Sequence, residues 1–322
     1  MKYLIATLVF LAAEILYFSV AKKFNVVDRP NERSSHTQVT LLGGGIIFLL
    51  ALLWYGVTHA FAYPWLLLGG LLIASVSYID DIRPLPAWLR FGAQMVTIFL
   101  VLFQFEAFTL DVWKLLLLLF VTLAVVNIYN FMDGVNGMLA AYSLVVLGTL
   151  GYVNATQQPF VDPDLIWFSI IAVAVFAFFN FRRKARCFSG DVGSILMGVL
   201  VLFLIGRLVQ ASPSGEQPLS YLVFIAVYVA DGGLTILKRM LAGENIFKPH
   251  REHLYETLCN DLRAPHLCVS GSYALLQLLI NVGWFLVADK VLYAILIGSF
   301  LVVAYSAFFF CFRQGKLGQP RS

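Results

Sequence analysis

The residues in this chain that could do chemistry are acids, amides and a few cations gathered in short segments between long apolar runs. Asp80 and Asp81 stand side by side in Y-I-D-D-I-R-P-L-P. Two adjacent carboxylates in a confined place repel each other, so they either retain a proton or recruit a cation. Asn127, Asn130, Asp133 and Asn136 recur at every third position of N-I-Y-N-F-M-D-G-V-N-G, a segment without Lys or Arg. That interval predicts one polar stripe on a helix, and such a stripe entering a membrane is costly unless it pairs or lines a cavity. Asn180 opens N-F-R-R-K-A-R-C-F-S-G-D-V-G-S, where Phe188 and Asp191 follow four cations and Gly190, Gly193 and Ser194 begin the next apolar run. Mg2+ is commonly held by one or two carboxylates, with waters and substrate phosphates completing the shell, so Asp191 needs few partners, of which Asn130 is a candidate. The helix start beside Asp191 would favour phosphate. His250, Arg251 and His253 cluster in P-H-R-E-H-L-Y-E, where Arg offers bidentate phosphate contacts and His adds hydrogen bonds or charge. As a zinc site this His-x-x-His pair lacks further ligands.

The elements that must position these residues are membrane spans. In 322 residues the sequence is 60% hydrophobic and 12% charged, with 28 Phe. A soluble domain could not hide that much apolar surface, and many runs approach the ~20 residues a span requires. The expected fold is all-α: a polytopic membrane domain over 1–322, with spans near 3–21, 41–58, 65–79, 88–104, 112–129, 137–154, 165–180, 193–209, 219–236, 267–288 and 291–311. Apart from Lys2, Lys114, Arg207 and Lys290, all of the 22 Lys and Arg residues fall in the tail or in loops on one side. By the positive-inside rule that side is cytoplasmic, placing the N-terminus outside and the C-terminus inside. Ser19-Val20-Ala21 has the form of a signal-peptide cleavage site. Lys22 and Lys23 just after it, however, need a span before them, so residues 1–21 are read as a span. Four cysteines without CxxC spacing read as reduced structural thiols.

Each segment also has a purely structural explanation. Asp80 and Asp81 could be solvated helix ends, the Asn stripe could bond neighbouring helices, and the cations could only set topology. The first loop, with Arg29, Arg33 and His36, ends in Gly43-Gly44-Gly45. Those glycines would either let backbone N–H groups approach an anion or let two helices pack closely. Asp231, inside the ninth run, reads either as a helix-packing hydrogen-bond partner or as a distant member of the site, with packing the favoured reading.

Together D28-R-P-N-E-R, the segment from His36 to Gly45, Y78-I-D-D-I-R, N130-F-M-D-G-V-N-G, F188-S-G-D-V-G-S and H250-R-E-H-L-Y resemble the polyprenyl-phosphate N-acetylhexosamine-1-phosphate transferases, bacterial glycosyltransferase family 4. The likeness is greatest to the branch that initiates O-antigen and other surface polysaccharides. It implies transfer of N-acetylhexosamine 1-phosphate from a UDP-N-acetylhexosamine to polyprenyl (undecaprenyl) phosphate with release of UMP, at the cytoplasmic face of the bacterial inner membrane, using Mg2+ or Mn2+. It implies catalytic roles for Asp80, Asp81 and Asp133, metal ligation by Asp191 and Asn130, and substrate binding by Asn136, Asn180, Phe188, His250, Arg251 and His253. Membrane and lipid are the expected partners, nucleic acid is not, and a homodimer is left open. Leu41-Leu42 depart from the basic or proline-containing sequence that family members often carry before the glycines. Two alternatives stand beside this reading: the phospho-N-acetylmuramoyl-pentapeptide transferase of peptidoglycan synthesis and, in a different class, a polar-lipid transporter.

Overall fold

The computed structural model describes residues 1–30, 38–212, 218–245, 248 and 250–317; Arg33 and His36 of the first loop lie outside them. The chain is an all-α polytopic membrane protein. Its helices are α1 (Lys2–Lys23), α2 (Ile46–Thr58), α3 (Pro64–Ile82), α4 (Ala87–Gln104), α5 (Val112–Phe131), α6 (Met138–Thr156), α7 (Pro163–Asn180), α8 (Gly190–Ala211), α9 (Ala226–Leu241), the single turn α10 (Leu254–Glu256), α11 (His266–Leu286) and α12 (Lys290–Leu317). The strands β1 (Val27–Asp28) and β2 (Thr40–Leu41) pair antiparallel. Local sequence sets several boundaries. Pro64 and Pro163 occupy first-turn positions, where a missing N–H costs nothing. Asp162 caps α7 by accepting from the Asp164 N–H at 2.8 Å.

Among the described residues ten helical segments are long and apolar enough to cross a membrane. The expected second span is shorter, the 13-residue α2, because the chain before it is spent on β2 and the glycine turn. It nevertheless links the same two layers as its neighbours. At one end the Gly45 N–H donates to the Ser189 carbonyl at 3.0 Å. At the other, His59 Nε2 lies 3.4 Å from Asp164 at the start of α7.

Helix α8 is the centre of the bundle, with 78% of its apolar window buried, against 11% for α12. Close packing explains its glycines. A Cβ on Gly45 would strike the Gly193 backbone, so the start of α2 crosses α8 at a contact only glycine permits. The Gly44 N–H donates to the Phe188 carbonyl at 2.8 Å. Of the two readings of the three glycines, the structure realises helix packing, since the amides of Gly44 and Gly45 are spent on backbone carbonyls.

Candidate active site

The start of α8 gathers acids from two other places, the end of α3 and the segment after α5. Asp81, at the end of α3, accepts from the backbone N–H groups of Asp191 at 3.0 Å and Val192 at 3.3 Å. The anion position that a helix N-terminus offers is thus filled by a carboxylate of this chain, not left for phosphate as the sequence suggested. Gly190 has φ +72°, and a Cβ there would run into the Asp81 carboxylate, so glycine is needed for backbone conformation and for approach alike.

Asp80 turns the other way. Its Oδ1 accepts from the Leu85 N–H at 2.6 Å and its Oδ2 pairs with Arg90 at 3.1 Å. Arg90, on the first turn of α4, is also the cation that offsets the charge of Asp191. It escaped the sequence reading because nothing local distinguishes it from the other loop cations.

The polar stripe that began at Asn127 divides, because α5 stops at Phe131. Asn127 exchanges amide hydrogen bonds with Gln94 of α4 at 3.1 and 3.4 Å, an interhelical pair of the structural kind. Asn130 bonds the Asp191 side chain and accepts from Ser194 Oγ at 2.8 Å. Asp133 lies beyond the helix and accepts from the Ser189 hydroxyl. Its carboxyl is pushed up to about 8, first by burial and further by the charges of Asp191 and Asp81. Asn136 donates to the carbonyls of Arg182 at 2.9 Å and Arg183 at 3.3 Å. Asn180 accepts from the Gly137 N–H at 2.7 Å and donates to the Cys187 carbonyl at 2.9 Å. Both amides brace the two loops that carry Asp133 and Asp191. Phe188, half-buried, holds its backbone between Leu41 and Gly44.

The histidine loop closes over this group from the other side. The His250 and His253 rings lie 6.5 and 6.1 Å from that of Phe131, two residues before Asp133. Tyr255 donates to the Phe131 carbonyl at 2.7 Å and packs on Gly134. The loop is organised by Asp231, which the sequence reading took for a packing residue. Its two oxygens accept from the Leu254 N–H at 2.8 Å, the Tyr255 N–H at 3.2 Å and the Tyr273 hydroxyl at 2.6 Å, and Oδ1 lies 3.6 Å from His253 Nδ1. Thr235 and Arg239 follow Asp231 at four-residue steps and are buried with it, a signal that a helical reading of α9 could have used. The segment is one helical turn with His253 and Tyr255 buried. Burial pushes the His250 imidazole down to about 4, so this ring is neutral near pH 7, and burial pushes Glu256 up to about 7. Glu256 supplies the third group missing from the histidine pair: ligand atoms of His250, His253 and Glu256 lie within 4.8 Å of one another.

The acid group offers hard oxygen donors. Asp81, Asp133 and Asp191 feel one another's charge, and among the described residues none of the three forms an ion pair with Lys or Arg. Carboxylates offset by Arg90 alone, with an amide oxygen alongside, are hard donors of the kind that suit Mg2+ or Mn2+ rather than a soft metal.

Residues 63–208, which run from α3 to α8 and contain all four acids, match glycosyl transferase family 4. The chain carries a glycosyl transferase family 4 domain. The same domain holds Asn130, Asn136 and Asn180, whereas the histidine loop lies outside it. The chain is 26% identical over 269 residues to the undecaprenyl-phosphate alpha-N-acetylglucosaminyl 1-phosphate transferase of Escherichia coli K12, covering 76% of this chain and 72% of that protein. It is 25% identical over 314 residues to the Yersinia pestis enzyme of the same name, covering 89% and 85%. It is 27% identical over 305 residues to the decaprenyl-phosphate N-acetylglucosaminephosphotransferase of Mycobacterium leprae, covering 77% and 75%. These alignments reach beyond the family 4 domain.

Proposed function

We propose that the protein transfers N-acetylhexosamine 1-phosphate from a UDP-N-acetylhexosamine to polyprenyl phosphate, releasing UMP, in the first membrane step of a surface polysaccharide. The observation that carries this reading is the group of three carboxylates at the start of α8, none of them ion-paired among the described residues and only Asp191 offset by a cation, Arg90, inside a family 4 domain. A reaction between two phosphate-bearing substrates needs a place for positive charge to be brought in, and that group is such a place. The names of the relatives favour an N-acetylglucosamine-type donor over a muramyl peptide, and the family match disfavours a transporter.

The acceptor supplies its own nucleophile. An oxygen of polyprenyl phosphate bonds to the β-phosphorus of the donor; the bond from that phosphorus to the bridging oxygen breaks, and UMP leaves with the oxygen. The work of the protein is then positioning and charge compensation. Asp191 and Asn130 would hold Mg2+, which when bound neutralises diphosphate charge. Asp81 fixes the start of α8, and with it the direction of Asp191. Both oxygens of Asp80 are already engaged by Leu85 and Arg90, which supports a role in placing Arg90 beside the acceptor phosphate rather than covalent attack. Asp133, held by Ser189, faces the donor side. Arg251, with neutral His250 and with His253, contacts the diphosphate and sugar, while Asn136, Asn180 and Phe188 shape the nucleotide side. The cation-rich loops put this face in the cytoplasm, where the nucleotide sugar is dissolved and the lipid phosphate lies at the membrane surface.

Purified protein given polyprenyl phosphate, Mg2+ and each of several UDP-N-acetylhexosamines should release UMP with at least one donor. Release with none of them, by a preparation that is monodisperse and folded, refutes the reading. Release only with a UDP-muramyl peptide replaces it with the peptidoglycan alternative.

A further inference from the structure

Away from the acids, two clefts open on the membrane-facing side of α6. One, of about 450 Å3, lies between α6 and the end of α7 and is lined by Ala141, Leu144, Ala177, Phe178, Phe181 and Arg182. The other, of about 560 Å3, runs between α6 and α11, from Leu144 past Gly148 to Tyr152 and Phe285. Leu144 borders both, so the two adjoin as one shallow, open channel along the helix. Gly148 is exposed on it, and a Cβ there would meet nothing within 4 Å. From Ala141 to Tyr152 it follows α6 for roughly 16 Å at 1.5 Å per residue. That matches the ~15 Å of hydrocarbon in one leaflet.

The mouth of the channel carries a cation. Arg182 Nε donates to the Phe178 carbonyl at 2.6 Å, and the guanidinium rests 4.6 Å above the Phe178 ring. Those contacts leave the two terminal NH2 groups without a hydrogen-bond partner among the described residues. The backbone beneath is fixed, because Asn136 binds the Arg182 and Arg183 carbonyls. An apolar channel one leaflet deep, with unspent guanidinium donors at headgroup level, is complementary to a lipid with a phosphate head and a chain of ordinary length. A polyprenyl tail would overrun it.

We infer that this channel is a binding site for one anionic phospholipid of the bilayer, its acyl chain against α6 and its phosphate on Arg182. The site is separate from the acid group and does not depend on the transferase reading.

Native mass spectrometry of the detergent-purified full chain tests it, with phosphatidylglycerol and phosphatidylcholine of identical acyl chains added in turn. The wild type should bind one phosphatidylglycerol about fivefold more tightly than phosphatidylcholine, the preference one interfacial Arg confers. Arg182→Gln should bring the two lipids to parity. Gly148→Leu, which fills the channel, should lose both while melting within a few degrees of the wild type. A diazirine-bearing acyl chain should label 138–156 or 266–286. Equal binding of both lipids by the wild type, unchanged binding in both variants, labelling elsewhere, or co-purified polyprenyl phosphate in the channel would each overturn the inference. If Gly148→Leu does not fold, Arg182→Gln and the labelled positions decide.

Discussion

Buried carboxylates mark both ends of this bundle, and the fold treats them differently. At the start of α7, Asp164 is neutralised: Lys2 Nζ approaches its two oxygens at 2.6 and 2.7 Å, Tyr3 donates at 2.8 Å and His59 lies at 3.4 Å. At the start of α8, Asp81, Asp133 and Asp191 receive hydrogen bonds from amides and a hydroxyl but, among the described residues, no ion pair. The first arrangement joins α1, α2 and α7 and supplies its own cation in Lys2. In the second, the charge deficit is left for something outside the chain to fill. A carboxylate near a membrane surface therefore becomes a candidate for chemistry when its neighbours fail to neutralise it, not simply because it is there.

The contrast is most easily broken at Asp191. Replacing it with Asn should lower kcat for UMP release by about 10²–10³-fold, as expected for loss of a preorganised electrostatic contact, with an unchanged far-ultraviolet spectrum. A wild-type rate would remove Asp191 from the site. Asp231→Asn tests the loop rather than the acids. It weakens the bonds to Leu254, Tyr255 and Tyr273, so KM for the UDP-sugar should rise about tenfold, with a smaller change in kcat, because a buried charged acceptor contributes on the order of 1.5–3 kcal/mol.

Among the described residues Asp133 has no ion pair, and this also has a signature in pH. Asp133 holds its proton more tightly folded than unfolded, so its stabilising contribution is complete below pH ~4. It is lost as pH rises through about 8. The melting temperature of EDTA-treated protein should fall across that window, and Asp133→Asn should flatten the fall. An unchanged slope in the variant would mean that Asp133 is not the group responsible. The smallest effect belongs to the neutralised end. Asp164→Asn should lower the melting temperature by about 2–4 °C and leave kcat unaltered; a fall in turnover would mean that the two ends are coupled.

Much of the site was legible because each segment joins a helix end to polar residues that a span does not tolerate. Asp80-Asp81 and the glycines around Asp191 announced themselves in this way. The stripe from Asn127 to Asn136 was legible only as composition. Equal spacing implied a continuous helix, whereas α5 ends at Phe131: Asn127 and Asn130 stay on it and reach Gln94 and Ser194, while Asp133 and Asn136 lie beyond it and reach Ser189 and the loop after α7. Arg90 and Asp231 went unassigned because their roles depend on partners 10 and 23–42 residues away, contacts to which local pattern is blind.

By itself the sequence determined that this is a multi-pass helical membrane protein with most of its cations sorted to one face. Hydropathy and the cost of placing charge in lipid act on each span separately, so no tertiary information is needed. Only the tertiary structure decided which polar groups cancel. Whether Asp164 meets Lys2, and whether the α8 N-terminus meets Asp81 or a ligand phosphate, depends on how helices far apart in the chain pack. The close approach of Gly45 to Gly193, which docks α2 on α8 and fixes where the α8 start can lie, is set by shape rather than by hydropathy.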